Sequence, residues 1–206
     1  MSTANVAAMI DHLVQRYGLD DAGSRGECLR WLQLSEEEAW NRGTWWFKWQ
    51  ESSVAMVSGT SLYSLAAGPS GIDEVRLGDG TVLTLLTRDD YRDVVGADAT
   101  SGTPKLWCLL EPTLLGVNQF GVWPVPNASG TLKVRHERVS GTLADSASSK
   151  SQFPVDWRHL VLLRAEVYAS AHAGQQGQYQ AFLNQYGEQL VALAEKNERR
   201  RQNGRA

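Results

Sequence analysis

Two cysteines in 206 residues, Cys28 and Cys108, cannot build a disulfide framework, and their separation along the chain excludes a CxxC pair. Both stand among apolar neighbours, which fits a reducing site of synthesis and inert buried thiols. No stretch approaches the ~18 apolar residues that a membrane helix needs. The N-terminus has no basic region followed by an apolar run, so neither a membrane span nor a secretory signal is expected. Histidine is also sparse, with four in the chain. His12, His136, His159 and His172 fall in different elements and show no HxxxH or ExxH spacing that would aim them at one metal. His12 lies on the polar side of its helix and reads as solvated. The phosphate-cradling GxxxxGK, the dinucleotide GxGxxG and the nucleophile-elbow GxSxG are all missing. Glu36-Glu37-Glu38 is no substitute, because consecutive helical residues project about 100° apart and three in a row cannot converge on one ion. That run reads as a solvated helix face, and Asp89-Asp90 after Arg88 as helix capping with an ion pair. The sequence is expected to need no cofactor and no metal, and to be non-enzymatic.

Positive charge is also lacking, except at one place. The net charge of -3 gives no whole-molecule attraction to nucleic acid or anionic membrane. Residues 195–206 nevertheless hold Lys196, Arg199, Arg200, Arg201 and Arg205 against Glu195 and Glu198. That leaves 15 of the 20 basic and 21 of the 23 acidic residues on the rest of the chain, a body near -6 with a +3 tail. Such an extension reads as a solvated helix end or as an arm that orders against an acidic partner. Direct DNA contact is a third reading, opposed by the tail's brevity and by the absence of interleaved aromatics.

The pattern of apolar residues supplies the architecture. Val6, Met9, Ile10, Leu13, Val14 and Tyr17 predict a helix over 5–17 ended by Gly18. After a polar turn at 20–24, Ser24 with Glu27 suggests a capping box opening a second helix to about Arg42, with Cys28, Trp31, Leu32 and Ala39 inward. From 53 to 139 the chain changes character. Strand-like pieces at 54–57, 62–65, 72–77, 82–86, 106–110, 114–122 and 131–136 are punctuated by Gly, Pro and Asp, and residues 87–91 suggest one capped helical turn. Strands succeeding strands without long helices imply an antiparallel sheet or small sandwich. Residues 140–153, rich in Ser, Ala and Gly with one apolar anchor at Leu143, read as a mobile loop. Pro154 then opens a helix apolar nearly all round, and a second one carries Tyr179, Phe182, Leu183, Tyr186, Leu190 and Leu193 on one face. Beyond Glu195 the apolar pattern stops. The expected fold is α+β: an N-terminal helical hairpin (5–42), a β-rich centre (53–139), C-terminal helices (155–194) and a basic tail, with 1–194 as one domain.

Eight tryptophans are the strongest anomaly of composition: Trp31, Trp40, Trp45, Trp46, Trp49, Trp107, Trp123 and Trp157. A carbohydrate-binding module would display such rings along one sheet face beside polar partners. The neighbours here are mostly Phe, Val and Leu, which favours core or subunit interface, with Trp45, Trp46, Trp49 and Trp157 as the aromatic anchors.

The order of these pieces resembles a known family. Trp45-Trp46 leads to Gly59-Thr-Ser-Leu-Tyr-Ser-Leu65, then Ile72-Asp-Glu-Val75, the Asp90-Tyr91 turn and Gly102-Thr-Pro-Lys-Leu-Trp107. Phe120-Gly-Val-Trp-Pro-Val-Pro126, Gly130-Thr-Leu-Lys-Val134 and Phe153-Pro154 follow. Over roughly residues 5–195 this succession is similar to the head-to-tail adaptors of tailed bacteriophages, the portal-binding head-completion proteins like tail tubular protein A. One departure is Ala66, where the family often has proline. The resemblance implies a structural virion protein at the head-tail junction, made in the host cytoplasm. It implies a homo-oligomeric ring, typically of twelve copies, beneath the portal protein. That ring would extend a channel through which dsDNA passes without sequence-specific binding, and would offer a platform to a tail nozzle or tail-tube protein. It also implies that residues 195–206 reach the portal, so their deletion should leave a folded protein that no longer binds portal particles. A stopper or tail terminator is the competing reading within the same class.

Overall fold

Residues 5–19, 23–65, 71–97, 100–111, 117–138 and 141–203 are described by the computed structural model. The fold is α+β, and the chain divides into two compact units, 1–47 with 140–206 and 48–139.

The first unit is helical. α1 (Val6–Tyr17) starts where Asn5 Oδ1 accepts from the Ala8 N–H at 2.8 Å, a cap worth about 1 kcal/mol. It ends at Gly18, whose φ of 63° lies in the left-handed region that favours glycine. α2 (Ser24–Asn41) does not begin with the expected capping box. Gly23 takes the N-cap position in a helical conformation, which places Ser24 inside the helix as its first residue. Pro154 precedes a single 3-10 turn, Val155–Trp157, before α4 (Arg158–His172) and α5 (Gln176–Asn203) follow. α4 packs against α1, α2 and α5, as a helix apolar on nearly every side should. Leu160, Val161, Leu162, Ala165 and Ala169 are its buried contribution to a core that includes Met9, Ile10, Leu13, Leu32, Trp40 and Phe153.

The segment 141–153 has the composition of a mobile loop but is tied down. Leu143 is buried, and Gln33 Nε2 donates to its carbonyl at 3.1 Å. Arg25 forks onto Asp145 at 2.8 and 2.9 Å, and the Val6 N–H donates to the Ser149 carbonyl at 2.9 Å. Composition reports the freedom of the unfolded chain; these partners, distant in sequence, remove it.

The second unit holds β1 (Trp49–Met56), β2 (Leu62–Leu65), β3 (Ile72–Leu77), β4 (Thr84–Leu85), α3 (Arg88–Ala97), β5 (Ser101–Gly102), β6 (Leu106–Leu109), β7 (Asn118–Trp123), β8 (Val125–Pro126) and β9 (Gly130–Glu137). Three antiparallel strands form one sheet in the order β1-β9-β3, and four form another in the order β2-β7-β6-β4. The β4–β6 and β5–β8 pairs are parallel. A parallel pair needs a crossover, and between β4 and β6 that crossover contains α3. The expected single turn at 87–91 is therefore the start of a ten-residue helix. Its cap is Thr87, whose Oγ1 accepts from the Asp90 N–H at 3.2 Å and donates to the Asp90 carboxylate at 2.6 Å. Tyr91 of α3 lies on Gly121 of β7: a Cβ at 121 would run into the Tyr91 hydroxyl and ring, so any side chain there requires Tyr91 to shift. The core of this unit joins both sheets through Tyr63, Val75, Leu83, Trp107, Phe120, Val122, Leu132 and Val134. Each such burial stabilises by roughly 1.5–3 kcal/mol before conformational entropy is counted. The expected start of the β7 strand at 114 falls in 112–116, outside the described residues.

Candidate functional site

The C-terminal end of α5 carries the basic cluster. The buried stripe of that helix, Phe182, Tyr186 and Leu193, does not stop at Glu195 but continues at the same spacing to Asn197. Asn197 Oδ1 accepts from the Trp46 N–H at 2.8 Å, and its Nδ2 donates to the Thr44 carbonyl at 3.2 Å. One turn on, the Arg200 guanidinium lies 4.6 Å from the centre of the Trp46 ring. Lys196 Nζ lies 5.4 Å from the Trp157 ring. Each cation–ring contact is worth about 0.5–1 kcal/mol at a partly exposed site. Residues 195–203 are thus the last turns of a helix, not an extended tail. Counting apolar residues misses this, because the positions that continue the stripe are an amide and two cations.

The five predicted docking cations separate accordingly. Lys196 and Arg200 rest on indole rings, whereas Arg199 is largely exposed and its nearest acid, Glu195, is 3.7 Å away on the same helix. Arg205 and the side chain of Arg201 lie outside the described residues. Truncation at 195 would remove the Asn197 bridge along with the charge, so the loss of binding expected from that deletion could not be assigned to charge alone.

The tryptophans are packing groups. Trp31, Trp40, Trp45, Trp107 and Trp157 are buried, and Trp46, Trp49 and Trp123 are half-buried. Trp45 Nε1 donates to the Ala39 carbonyl at 2.8 Å and its ring stacks on Phe47, while Trp46 meets Phe47 edge-on. Trp157 stacks on His159, and Trp49, in the sheet unit, lies beneath the Arg135 guanidinium. Among the described residues no row of exposed rings lies on a sheet face, which is what a carbohydrate platform would display.

Buried charge is the feature that sequence reading missed. His12 is not solvated: its Nε2 is 2.8 Å from Glu166 Oε1, which also accepts from Arg16 at 3.0 Å, and Glu166 is fully buried. Glu36-Glu37-Glu38 is not a solvated face either. Glu36 is buried and accepts from the Gln152 N–H at 2.9 Å; burial pushes its carboxyl above the usual range. Glu38 is also drawn upward by burial, but hydrogen bonds from Arg164 and Arg42, each at 2.7 Å, outweigh this and hold it below the usual range. Only Glu37 is exposed. In the sheet unit Lys48 and Glu137 form a buried ion pair at 3.3 Å. A helical wheel assigns such residues to solvent because it knows their polarity and not the chain that returns from a hundred residues away.

These groups bind one another and present no reacting centre. Burial pushes the Cys28 thiol up to about 11 and raises that of Cys108, so both stay protonated and poorly nucleophilic. Among the described residues no three His, Cys, Asp or Glu side chains are placed to hold a metal, and no helix is long and apolar enough to cross a membrane. What the α5 end can do is present cations from a rigid, aromatic-backed scaffold.

Comparison with known proteins gives the class. Residues 4–206 match the SU10 adaptor protein family, and the chain belongs to that family. It is accordingly a structural phage adaptor. No curated protein matches the chain.

Proposed function

We propose that the protein is the head-to-tail adaptor of a tailed phage. Copies of it form a ring, of about twelve by the family resemblance, that binds beneath the portal and extends the DNA channel. The same ring gives the tail nozzle or tail tube its attachment platform. The observation that carries this reading is the family match over nearly the whole chain. The docking end is the basic segment 195–206, with Arg199, Arg201 and Arg205 as the contacting cations and Lys196 and Arg200 as the residues that fix α5 on Trp157 and Trp46. An acidic remainder suits a channel in which DNA slides without adhering. The test is charge reversal at Arg199, Arg201 and Arg205 together, which spares the Asn197 bridge. The variant should fold as the wild type does and lose binding to portal particles, most clearly at physiological salt. Undiminished binding would sink the docking assignment.

A further inference from the structure

The segment 141–153 runs over the helices as a strap with two kinds of fastening. Its first part is held by charge and backbone: Arg25 on Asp145, the Val6 N–H on the Ser149 carbonyl, and Gln33 on the Leu143 carbonyl. Its last part lies against the Glu36 carboxyl group. Glu36 of α2 accepts from the Gln152 N–H at 2.9 Å, and Ser151 beside it is buried. Phe153, the next residue, places its ring 4.9 Å from that of Phe47 and 6.2 Å from that of Trp40. The Gln152 side chain folds back onto Gly141, where a Cβ would run into its amide nitrogen.

Glu36 is 3% exposed, so its charge state decides how well this contact is tolerated. The charged group that faces it is Arg158 of α4, which donates to the Phe153 carbonyl at 3.2 Å. Lys150, the strap's own cation, is exposed. The other polar partners are the Ser151 hydroxyl and the Gln152 N–H, neither of them charged. Two buried oxygens of this cluster, Glu36 Oε2 and Gln152 Oε1, lack a donor at hydrogen-bond geometry among the described residues. Both belong to the pair of residues that the Glu36–Gln152 bond already holds together. A carboxylate can satisfy neither oxygen, because it has only acceptors; a neutral carboxyl carries one hydrogen that serves both.

We infer that Glu36 is a proton-held fastening for the strap: its neutral carboxyl accepts the Gln152 N–H on Oε1 and donates its own hydrogen from Oε2 to the Gln152 side-chain carbonyl. Loss of that proton loosens residues 150–153 while the helices stay folded. Burial raises the carboxyl above its usual range, against the smaller opposing pulls of the Gln152 N–H, the Ser151 hydroxyl and Arg158. The fastening is therefore complete below the ordinary carboxylate range and is lost as pH rises through the raised value. Beyond it, two oxygen acceptors face each other in a dry site, and lifting the strap lets water solvate the carboxylate. The fastenings at Leu143, Asp145 and Ser149 do not involve Glu36, so the opening is local. It uncovers the buried rings of Phe47 and Trp40.

The test is amide hydrogen exchange of the full chain as a function of pH, read on residues 150–153 and corrected for intrinsic exchange. One proton lost per opening predicts that wild-type protection there falls by about tenfold per pH unit between the ordinary carboxylate value and the raised one, then levels off. Residues 143–149 should show no such slope. Glu36→Gln keeps both an acceptor and a donor hydrogen, so its protection should be independent of pH. Difference infrared spectra of the wild type against Glu36→Gln should show a protonated-carboxyl band that vanishes as pH passes the raised value. A wild-type profile as flat as that of the variant overturns the inference. So does lower protection in Glu36→Gln at every pH with no such band, which assigns Glu36 as a carboxylate accepting from a Gln152 amide in the opposite orientation. The wild-type slope is read without the variant, so a misfolded Glu36→Gln still leaves the outcome decided.

Discussion

The helical and sheet units solve the problem of buried polarity in opposite ways. The helical unit accepts charge and amide inside itself: Glu166 under His12 and Arg16, Glu36 under the Gln152 N–H, Asn197 bridging Thr44 and Trp46. Each of those groups is paired with a partner of the same unit far away in sequence, so the helices are keyed to one another by specific bonds as well as by apolar area. The sheet unit packs an apolar cluster at its centre and places a buried ion pair, Lys48–Glu137, where β1 begins and β9 ends. The strands at the two ends of its four-stranded sheet, β2 and β4, carry no charged side chain.

That contrast can be broken by mutation, beginning with the largest expected effect. Lys48→Met removes the cation 3.3 Å from the buried Glu137 carboxylate and should cost about 3–5 kcal/mol in urea unfolding. A loss under 1 kcal/mol would mean that the pair is not held in a dry site. Gly121→Ala drives a methyl group into the Tyr91 hydroxyl and the ring carbon that bears it and should cost about 1–3 kcal/mol, and clearly less when made in a Tyr91→Leu background, where those atoms are gone. An equal cost in both backgrounds would show that the clash lies elsewhere.

In the helical unit, Asn197→Ala strands the Trp46 N–H and the Thr44 carbonyl, and about 1–2 kcal/mol should be lost. Fluorescence of the Trp46 environment should change with it. An unaltered melting curve and spectrum would remove Asn197 from the account. The smallest effect distinguishes Glu36 from Glu38 by the sign of a slope. The folded state raises the Glu36 value, so its contribution is complete below the ordinary carboxylate range and is lost as pH rises through the raised value. Glu36→Gln should therefore match the wild type near pH 4 and equal or exceed its stability at pH 7. Glu38 is held low, so its contribution is present above the ordinary range and is lost as acid carries pH through the lowered value. Glu38→Gln should weaken the protein at pH 7 and converge with it in acid. Parallel pH profiles for the two variants would refute the opposed environments.

Much of this architecture was legible in the sequence, and the residues show why. α1 and α4 could be placed because their apolar residues repeat with the period of a helix, and β2, β3 and β6 because glycine and proline bracket them. The length of α3 was hidden because only its cap has a local signature; its remainder is set by the crossover from β4 to β6. The Ser24–Glu27 pattern misplaced the N-cap by one residue, since the helix starts at Ser24 and Gly23 holds the cap position. At the candidate site, the cations were visible as composition, but the helix beneath them was not. Its final stripe is Lys196, Asn197 and Arg200, and only the partners Trp157, Thr44 and Trp46 reveal those residues as packed.

The central claim, an adaptor ring that docks through the α5 end, is tested most directly by negative-stain imaging of portal particles mixed with purified protein. The account expects an added ring of density beneath the portal with the wild type, and bare portals with Arg199, Arg201 and Arg205 all changed to Glu. Bare portals with the wild type, or equal decoration by both proteins, would contradict it.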